Sequence, residues 1–419
     1  MMGMNGRGLK SMESSHPNRS GGFLAHSHIP RPAAPERIGR YQLCFELASG
    51  GMASVYLARA DGPPGFQKLV ALKRIHPHLA QERDYVEMFL DEARIASRIT
   101  HPNVCSVFDF GEVDGEYFIA MEYLVGEPLS RVHRRVVANA EQRHSPLLPA
   151  RMVRTVAQAC EGLHAAHELK DVDGESLNVV HRDVSTENLF VTYDGTTQVV
   201  DFGIAHARQR VHHTEAGQVK GTFPYMAPEQ MTAGGVDRRV DIWALGTVLW
   251  ELLTLRRLFM RDTDVNTMYA VLSSEIRPPS EYREGVSSEL DEVVLKALHR
   301  NPDERWQTAR EMGKALRRAV AKEPELIGPA EVADWMAELF PDGEARKQRL
   351  IEIARIGDDG QLVAAPEMSS KKELHHEVPI PTTARRRAPS GPPLPSSLIV
   401  MAIGVAVVLA FAVLDWLRH

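Results

Sequence analysis

His181-Arg182-Asp183-Val184-Ser185-Thr186-Glu187-Asn188, followed a dozen residues later by Asp201-Phe202-Gly203, decides how the rest of the chain is read. Asp183 offers a carboxylate that can orient a hydroxyl and take its proton. Asn188 offers an amide oxygen, and Asp201 adds a second carboxylate behind the short strand expected over Thr197 to Val200. An amide oxygen and a carboxylate suit hard magnesium, which keeps waters and phosphate oxygens as its other ligands. Together these groups are the minimum for moving the terminal phosphoryl group of ATP onto an alcohol. A surface turn can contain Asp and Asn by chance, but chance does not also supply the second segment at this spacing.

Upstream, Val70-Ala71-Leu72-Lys73 reads as a buried strand ending in one lysine. A lysine left unpaired there would be costly, so it needs a partner. Glu92, in the helical stretch Phe89-Leu90-Asp91-Glu92-Ala93-Arg94, is the expected one, and the pair would fix the ammonium against the α- and β-phosphates of ATP. Earlier still lies Leu47-Ala48-Ser49-Gly50-Gly51-Met52-Ala53-Ser54-Val55-Tyr56. A tight turn of small residues lets backbone N–H groups close over phosphates. Ala48 and Ala53 stand where a full G-x-G-x-x-G loop has its first and third glycines, so an ordinary hairpin explains this stretch equally well.

The chain has 419 residues, a hydrophobic content of 43%, a charged content of 25% and a net charge of −6. That composition is ordinary for a globular core and leaves no basic footprint for nucleic acid. Cys44, Cys105 and Cys160 are scattered, without zinc-site spacing, and read as reduced thiols. Residues 1–38 lack the apolar run of an export signal, and His16, His26 and His28 fall in this Gly-, Ser- and Pro-rich arm, which reads as disordered. From Tyr41 the pattern is strand-rich, with strands expected at Tyr41 to Glu46, Ala53 to Arg59, Val70 to Ile75, Val104 to Phe110 and Tyr117 to Glu122. One helix, from about Asp84 to Ile99, interrupts them. Later segments such as Pro149 to Glu168 and Val240 to Thr254 are helical. Strands followed by helices predict an α+β chain of two unlike lobes with a ligand at their junction.

With these segments in hand the chain resembles the eukaryotic-type Ser/Thr protein kinases over about Tyr41 to Arg318. The likeness extends to Gly221-Thr222-Phe223-Pro224-Tyr225-Met226-Ala227-Pro228-Glu229, to Asp241-Ile242-Trp243-Ala244-Leu245-Gly246 and to Arg305. It implies a bilobal kinase fold over residues 39–318, with ATP and magnesium as cofactors and proteins as substrates. Asp183 would act as the base, with Lys73, Glu92, Asn188 and Asp201 around it. Asn188 and Asp201 would hold the metal. Leu47, Ala48, Ser49, Gly50, Gly51, Met52 and Ala53 would cover the nucleotide. Val55, Ala71 and Phe190 would sandwich the base beside Met121, with Glu122 and Leu124 offering backbone groups to its edge. Glu229 would pair with Arg305, and Asp241 would hold the catalytic loop from beneath. Thr222 matches the position that supports Ser/Thr acceptors, and Thr214 would be the phosphorylated residue of the activation segment, facing Arg182. Gly-Gly-Met before Val-Tyr, His101-Pro102-Asn103-Val104 and an insertion at Lys170 to Leu177 resemble bacterial members, myxobacterial ones in particular.

The pattern breaks at Ser185, where the family places a lysine that neutralises the moving phosphoryl, and at Thr186, which replaces the usual proline. Losing one such contact costs on the order of 100-fold in rate. Lys73, the metal ions or Lys220 would compensate in part. Two readings follow: an active but slow Ser/Thr kinase, or an inactive nucleotide-binding scaffold. A small-molecule phosphotransferase is disfavoured by the Ala227-Pro228-Glu229 and Asp241 to Gly246 segments.

Beyond the kinase-like region, residues 319–356 carry two short helical patterns. Val332, Trp335, Met336, Leu339 and Phe340 form one apolar stripe, either docked on the chain's own helical lobe or serving as a docking or dimerisation surface. Residues 357–397 are Pro-rich and read as a tether. From Leu398 to Leu414 there is no charged or polar side chain; in helical form this run reaches about 26 Å, near the lower limit for spanning a bilayer core. A transmembrane helix is therefore expected over 398–417. Arg385, Arg386 and Arg387 before it, against Arg418 alone after it, place the kinase-like part in the cytoplasm on the inner face of the cell membrane. The few residues beyond this run leave no room for a sensor domain on the far side, and a homodimer for autophosphorylation in trans is a further expectation.

Overall fold

The computed structural model of the chain describes residues 36–62, 67–202, 223–232, 235–321 and 327–356. The first lobe holds strands β1 (Arg37–Ile38), β2 (Tyr41–Ser49), β3 (Ala53–Asp61) and β4 (Gln67–Ile75), helix α1 (Arg83–Ala96), and strands β5 (Val107–Val113) and β6 (Glu116–Met121). They form one antiparallel sheet in the order β1-β2-β3-β4-β6-β5. Its register sets Lys73 opposite Val55 on one side and Ile119 on the other. Helix α1 buries Phe89 and Ala93 against Ile75 and Ile119, so Glu92, between them, is carried down onto the sheet.

Two of the expected boundaries shift. The strand expected from Val104 begins only at Val107. Val104 bridges Val199 in parallel, and the Cys105 N–H donates to Val199 O at 3.0 Å, so this backbone pairs with the second lobe rather than with the first sheet. The helix expected to reach Ile99 ends at Ala96, capped by Ser97.

The second lobe begins with β7 (Gly126–Pro128), α2 (Leu129–Ala138), α3 (Ala140–His144) and α4 (Leu148–His167), then β8 (Leu189–Thr192) and β9 (Thr197–Val199), which complete a small β7-β8-β9 sheet. The helices α5 (Pro228–Met231), α6 (Arg239–Thr254), α7 (Asp264–Ser273), α8 (Ser288–Ala297) and α9 (Ala309–Ala319) follow. In α6 every residue from Val240 to Thr254 is buried, as its all-round apolar sequence requires of a central helix. The inserted Lys170 to Leu177 segment closes on itself through a Lys170–Ser176 bridge.

Two further helices, α10 (Pro329–Leu339) and α11 (Gly343–Ile356), lie beyond α9. The stripe Val332, Trp335, Met336, Leu339 and Phe340 is buried within the core of the second lobe, which decides between its two readings. Trp335 Nε1 donates to Gln142 Oε1 at 2.9 Å. Among the described residues no helix is long and apolar enough to cross a membrane; the expected span at 398–417 and the Pro-rich stretch before it lie outside them.

Candidate active site

The site forms where the two lobes face each other, and its first element is an ion cluster. Lys73 Nζ lies 2.8 Å from Glu92 Oε1 and 2.9 Å from Asp201 Oδ1, joining β4, α1 and the segment after β9. Burial by itself would lower the lysine's pKa, but the pull of Asp201 and Glu92 overrides it, so the ammonium is held charged well above its ordinary range. The expected Lys73–Glu92 pair is present; the contact with Asp201, far away in sequence, is additional.

The second element is the loop after the insertion. Asn188 Nδ2 donates to Asp183 O at 2.8 Å and to Asp183 Oδ2 at 2.9 Å. Both amide hydrogens are thereby engaged, which fixes the amide plane and turns Asn188 Oδ1 away as the remaining donor atom. The Asn188 N–H goes to Ser185 O at 3.2 Å, and the Val200 N–H to Asn188 O at 3.0 Å. With Asp201 alongside, the donor set is an amide oxygen and a carboxylate, which fits a hard cation carrying phosphate oxygens as its other ligands.

A third element lies beneath the loop. Asp241, fully buried at the start of α6, accepts from the His181 N–H and the Arg182 N–H, each at 2.8 Å, and sits 2.8 Å from His167 Nε2. Burial would raise the Asp241 pKa, yet the hydrogen bond from His167 and those from the loop hold it below the ordinary carboxylate value. These bonds secure the strained backbone at Arg182, which has φ 68°; Asp201 is left-handed as well, at φ 52°. A left-handed conformation at a non-glycine residue costs on the order of 1–2 kcal/mol, and two charged residues adopt it here within one cleft. His181 completes the floor: its Nε2 lies 3.0 Å from Val200 O and its ring packs on Phe202 at 4.8 Å.

A cavity beside these groups is lined by Lys73, Glu92, Cys105, Met121, Asp201 and Phe202. Ala71 pairs with both Leu57 and Met121 across the sheet, and Val55 with Lys73, which places Val55 and Ala71 over the cleft. Glu122 and Leu124 lie on the connection between the lobes, with the Glu122 N–H bonded to Ser106 O at 2.8 Å. Phe190 is half-buried on β8, opposite Pro128 and Gln198. The turn between β2 and β3 closes on itself: Gly50 N–H donates to Ala53 O at 2.9 Å, and Ser49 Oγ meets Ser54 Oγ at 2.9 Å. His76 ties Gly50 and Met52 to the end of β4. Thr214, Thr222 and Gly203 lie outside the described residues.

Glu229 and Arg305 form a two-pronged pair, at 2.6 and 2.8 Å. Sequence reasoning missed His167 beneath the loop, which looks like one more residue of an apolar helix. It also missed Glu251, whose carboxylate meets Tyr225 Oη at 3.0 Å and Arg257 Nη1 at 2.9 Å. A carboxylate in Val248-Leu249-Trp250-Glu251-Leu252-Leu253 was a visible signal, because a buried acid must be paired. Thr186, in place of the expected proline, is buried with its hydroxyl 3.4 Å from Tyr225 Oη, and its carbonyl accepts from the Ser130 N–H at 2.9 Å.

The model of the protein kinase domain matches residues 41–315. A tyrosine-protein kinase of Myxococcus xanthus, MasK, is 42% identical over 326 residues, covering 78% of this chain and 49% of that one. The serine/threonine-protein kinase PknB of Mycobacterium leprae is 35% identical over 295 residues, covering 69% and 44%. The chain thus spans about half the length of the curated relatives it matches. Among solved structures, the PknI kinase domain of Mycobacterium tuberculosis aligns with a TM-score of 0.52 at 26% identity, over 69% of this chain and 99% of that domain.

Proposed function

Since the chain belongs to the protein kinase family, we propose that it transfers the γ-phosphoryl group of ATP to serine or threonine hydroxyls of proteins. The observation that carries this reading is the pairing of two clusters across one cleft: Lys73 with Glu92 and Asp201, and Asp183 with Asn188. In the proposed reaction the substrate hydroxyl oxygen forms a bond to the γ-phosphorus as the bond to the β,γ-bridging oxygen breaks. ADP leaves, and the hydroxyl proton passes to the Asp183 carboxylate. Asn188 fixes that carboxylate, and Asp241 fixes the backbone that carries it. Lys73, held by Glu92, would meet the α- and β-phosphates. Residues Leu47 to Ala53, Val55, Ala71, Met121, Glu122, Leu124 and Phe190 would enclose the nucleotide. Magnesium held by Asn188 and Asp201 would supply charge neutralisation on the phosphates.

Acceptor specificity rests on relatives such as PknB, named serine/threonine-protein kinase. A tyrosine acceptor is the second reading, favoured by the name of MasK. Phosphoamino-acid analysis of a protein substrate labelled from ATP decides between them. The expected result is phosphoserine and phosphothreonine, and label confined to phosphotyrosine would overturn the proposal.

Autophosphorylation at Thr214 belongs to the same proposal. Arg182 Nε is buried with no hydrogen-bond partner among the described residues, which suits a phosphate arriving from the activation segment. The apolar run Leu398 to Leu414 and the arginines before it support an anchor in the cell membrane with the kinase domain on the cytoplasmic side. The full chain is then expected in the membrane pellet after extraction without detergent; recovery in the soluble fraction would remove the anchor.

A further inference from the structure

The match to the kinase family ends at residue 315, yet helices α10 and α11 lie beyond it and are packed onto the kinase body. Helix α10 is seated on the second lobe. At its start a Cβ on Gly195, which has φ 82°, would meet Pro329 O at 1.9 Å, so the β8–β9 turn accepts the helix only because it carries glycine. Helix α11 then runs elsewhere. Its first residue, Gly343, lies against Tyr193 in the second lobe, whose hydroxyl donates to Glu127 at 2.8 Å. Its far end reaches the first lobe, where the buried Arg59 on β3 donates to Ala354 O at 3.4 Å. Along its length it touches β7, β3 and β4, which lie on either side of the connection between the lobes. At 14 residues it is about 21 Å long, enough to cross that connection.

Leu350 and Ala354 form one buried cluster with Leu57, and Leu47, Leu69 and Tyr123 pack against it. Leu57 is opposite Ala71, on the sheet face that also carries Val55 and Lys73. Leu47 opens the turn proposed to cover the nucleotide, and Tyr123 lies between Glu122 and Leu124 on the connection. One side of α11 thus packs on residues that flank the cleft, and the other is charged and exposed, with Arg346 and Arg349 in solvent.

We infer that α11 is a strap across the two lobes whose seating, through Leu350, sets the position of the nucleotide-covering turn and hence the affinity for ATP. The nucleotide part rests on the kinase reading above; the strap itself does not. Leu350 is a positioning residue, acting through Leu47, Leu57 and Tyr123.

Leu350→Asp in the full chain places a carboxylate in this cluster and unseats the helix. Backbone hydrogen exchange over β3, β4 and Tyr123 should rise by about tenfold or more, while the buried helix α6 keeps its protection, since the opening is local. KM for ATP should rise by about fivefold with kcat changed less than about twofold, the pattern of a lost binding contribution. Leu350→Met should restore both, and Arg349→Ala, on the exposed side, should change neither. Loss of protection in α6 as well would mark general unfolding, and Leu350→Ala with Ala354→Ser then provides the milder test of the same exchange. Unchanged exchange over β3 and β4 in a folded variant overturns the strap. Raised exchange with KM unchanged or lowered overturns its link to the nucleotide. Should the unaltered chain bind no ATP, the kinase reading fails on its own, and exchange still decides the strap.

Discussion

Asp183→Asn is expected to lower phosphoryl transfer about a thousandfold while leaving the fold intact and KM for ATP within about threefold, as befits the loss of a proton acceptor. The substitution is close to isosteric. An asparagine at 183 still presents a side-chain oxygen to Asn188 Nδ2, so the 2.9 Å contact has a replacement, and the backbone bond to the residue's own carbonyl at 2.8 Å is untouched. What disappears is the negative charge able to take a proton from the attacking hydroxyl. Lys73→Met makes the complementary case. It removes the ammonium that separates Glu92 from Asp201 and leaves a buried carboxylate facing a partly exposed one, so Asp201 loses its position as well as its counter-charge. A loss of at least about a hundredfold in kcat/KM is expected there, with KM for ATP raised. Single-turnover labelling with both variants, beside their melting curves, checks the pair. Transfer by Asp183→Asn within about tenfold of the unaltered chain would remove this residue from the chemistry. Equal labelling by all three would trace it to a contaminating enzyme.

The pairing of Asp183 with Asn188 could be read from the sequence because it is local. Asp183 and Asn188 lie on one loop, and the geometry of a loop is set by neighbours in the chain. The same is true of the alternation that placed β3 and β4, and of the stripe from Val332 to Phe340. Contacts that cross the fold were less visible. That Lys73 meets Asp201 depends on how the second lobe seats the segment after β9. That Val104 and Cys105 leave the first sheet depends on Val199, a partner nearly a hundred residues on. His167 under the catalytic loop looks like an ordinary member of an apolar helix until Asp241 is placed beside it. Helix α11 was the hardest to place. Its sequence is crowded with charge, it buries few side chains, and its partner surface on β3 lies 295 residues earlier. Periodicity shows that such a helix has an apolar side; it does not show which surface will accept it.

Arg305→Ala carries the largest expected cost in stability, about 3–5 kcal/mol, the range for breaking a buried ion pair by removing one partner. The guanidinium is wholly enclosed and its geometry is used throughout. Nη1 and Nη2 hold the two oxygens of Glu229 at 2.6 and 2.8 Å; Nη1 also donates to Arg239 O at 3.0 Å, Nη2 to Arg300 O at 3.1 Å, and Nε to His299 O at 2.7 Å. The same group lies 5.0 Å from the ring of Trp243 in the central helix. Alanine would leave a nearly buried carboxylate without its cation and take the guanidinium's donors from three carbonyls. For a domain of this size the melting temperature should fall by roughly 10 °C. Arg305→Lys should recover only part of the loss, because one ammonium cannot serve both carboxylate oxygens and three carbonyls at once. Adding Glu229→Gln to Arg305→Ala should be less harmful than the sum of the two changes, since the neutral amide removes the stranded charge. Calorimetry on the four proteins tests this, and a shift below about 2 °C for Arg305→Ala would mean that the pair contributes little. The pair joins the start of α5 to the loop after α8 and to the first turn of α6, whose Asp241 holds Arg182 and His181. A loosened pair should therefore lower kcat before it lowers the affinity for ATP, because the strained loop carrying Asp183 loses its support while Lys73 and Glu92, on the other lobe, do not.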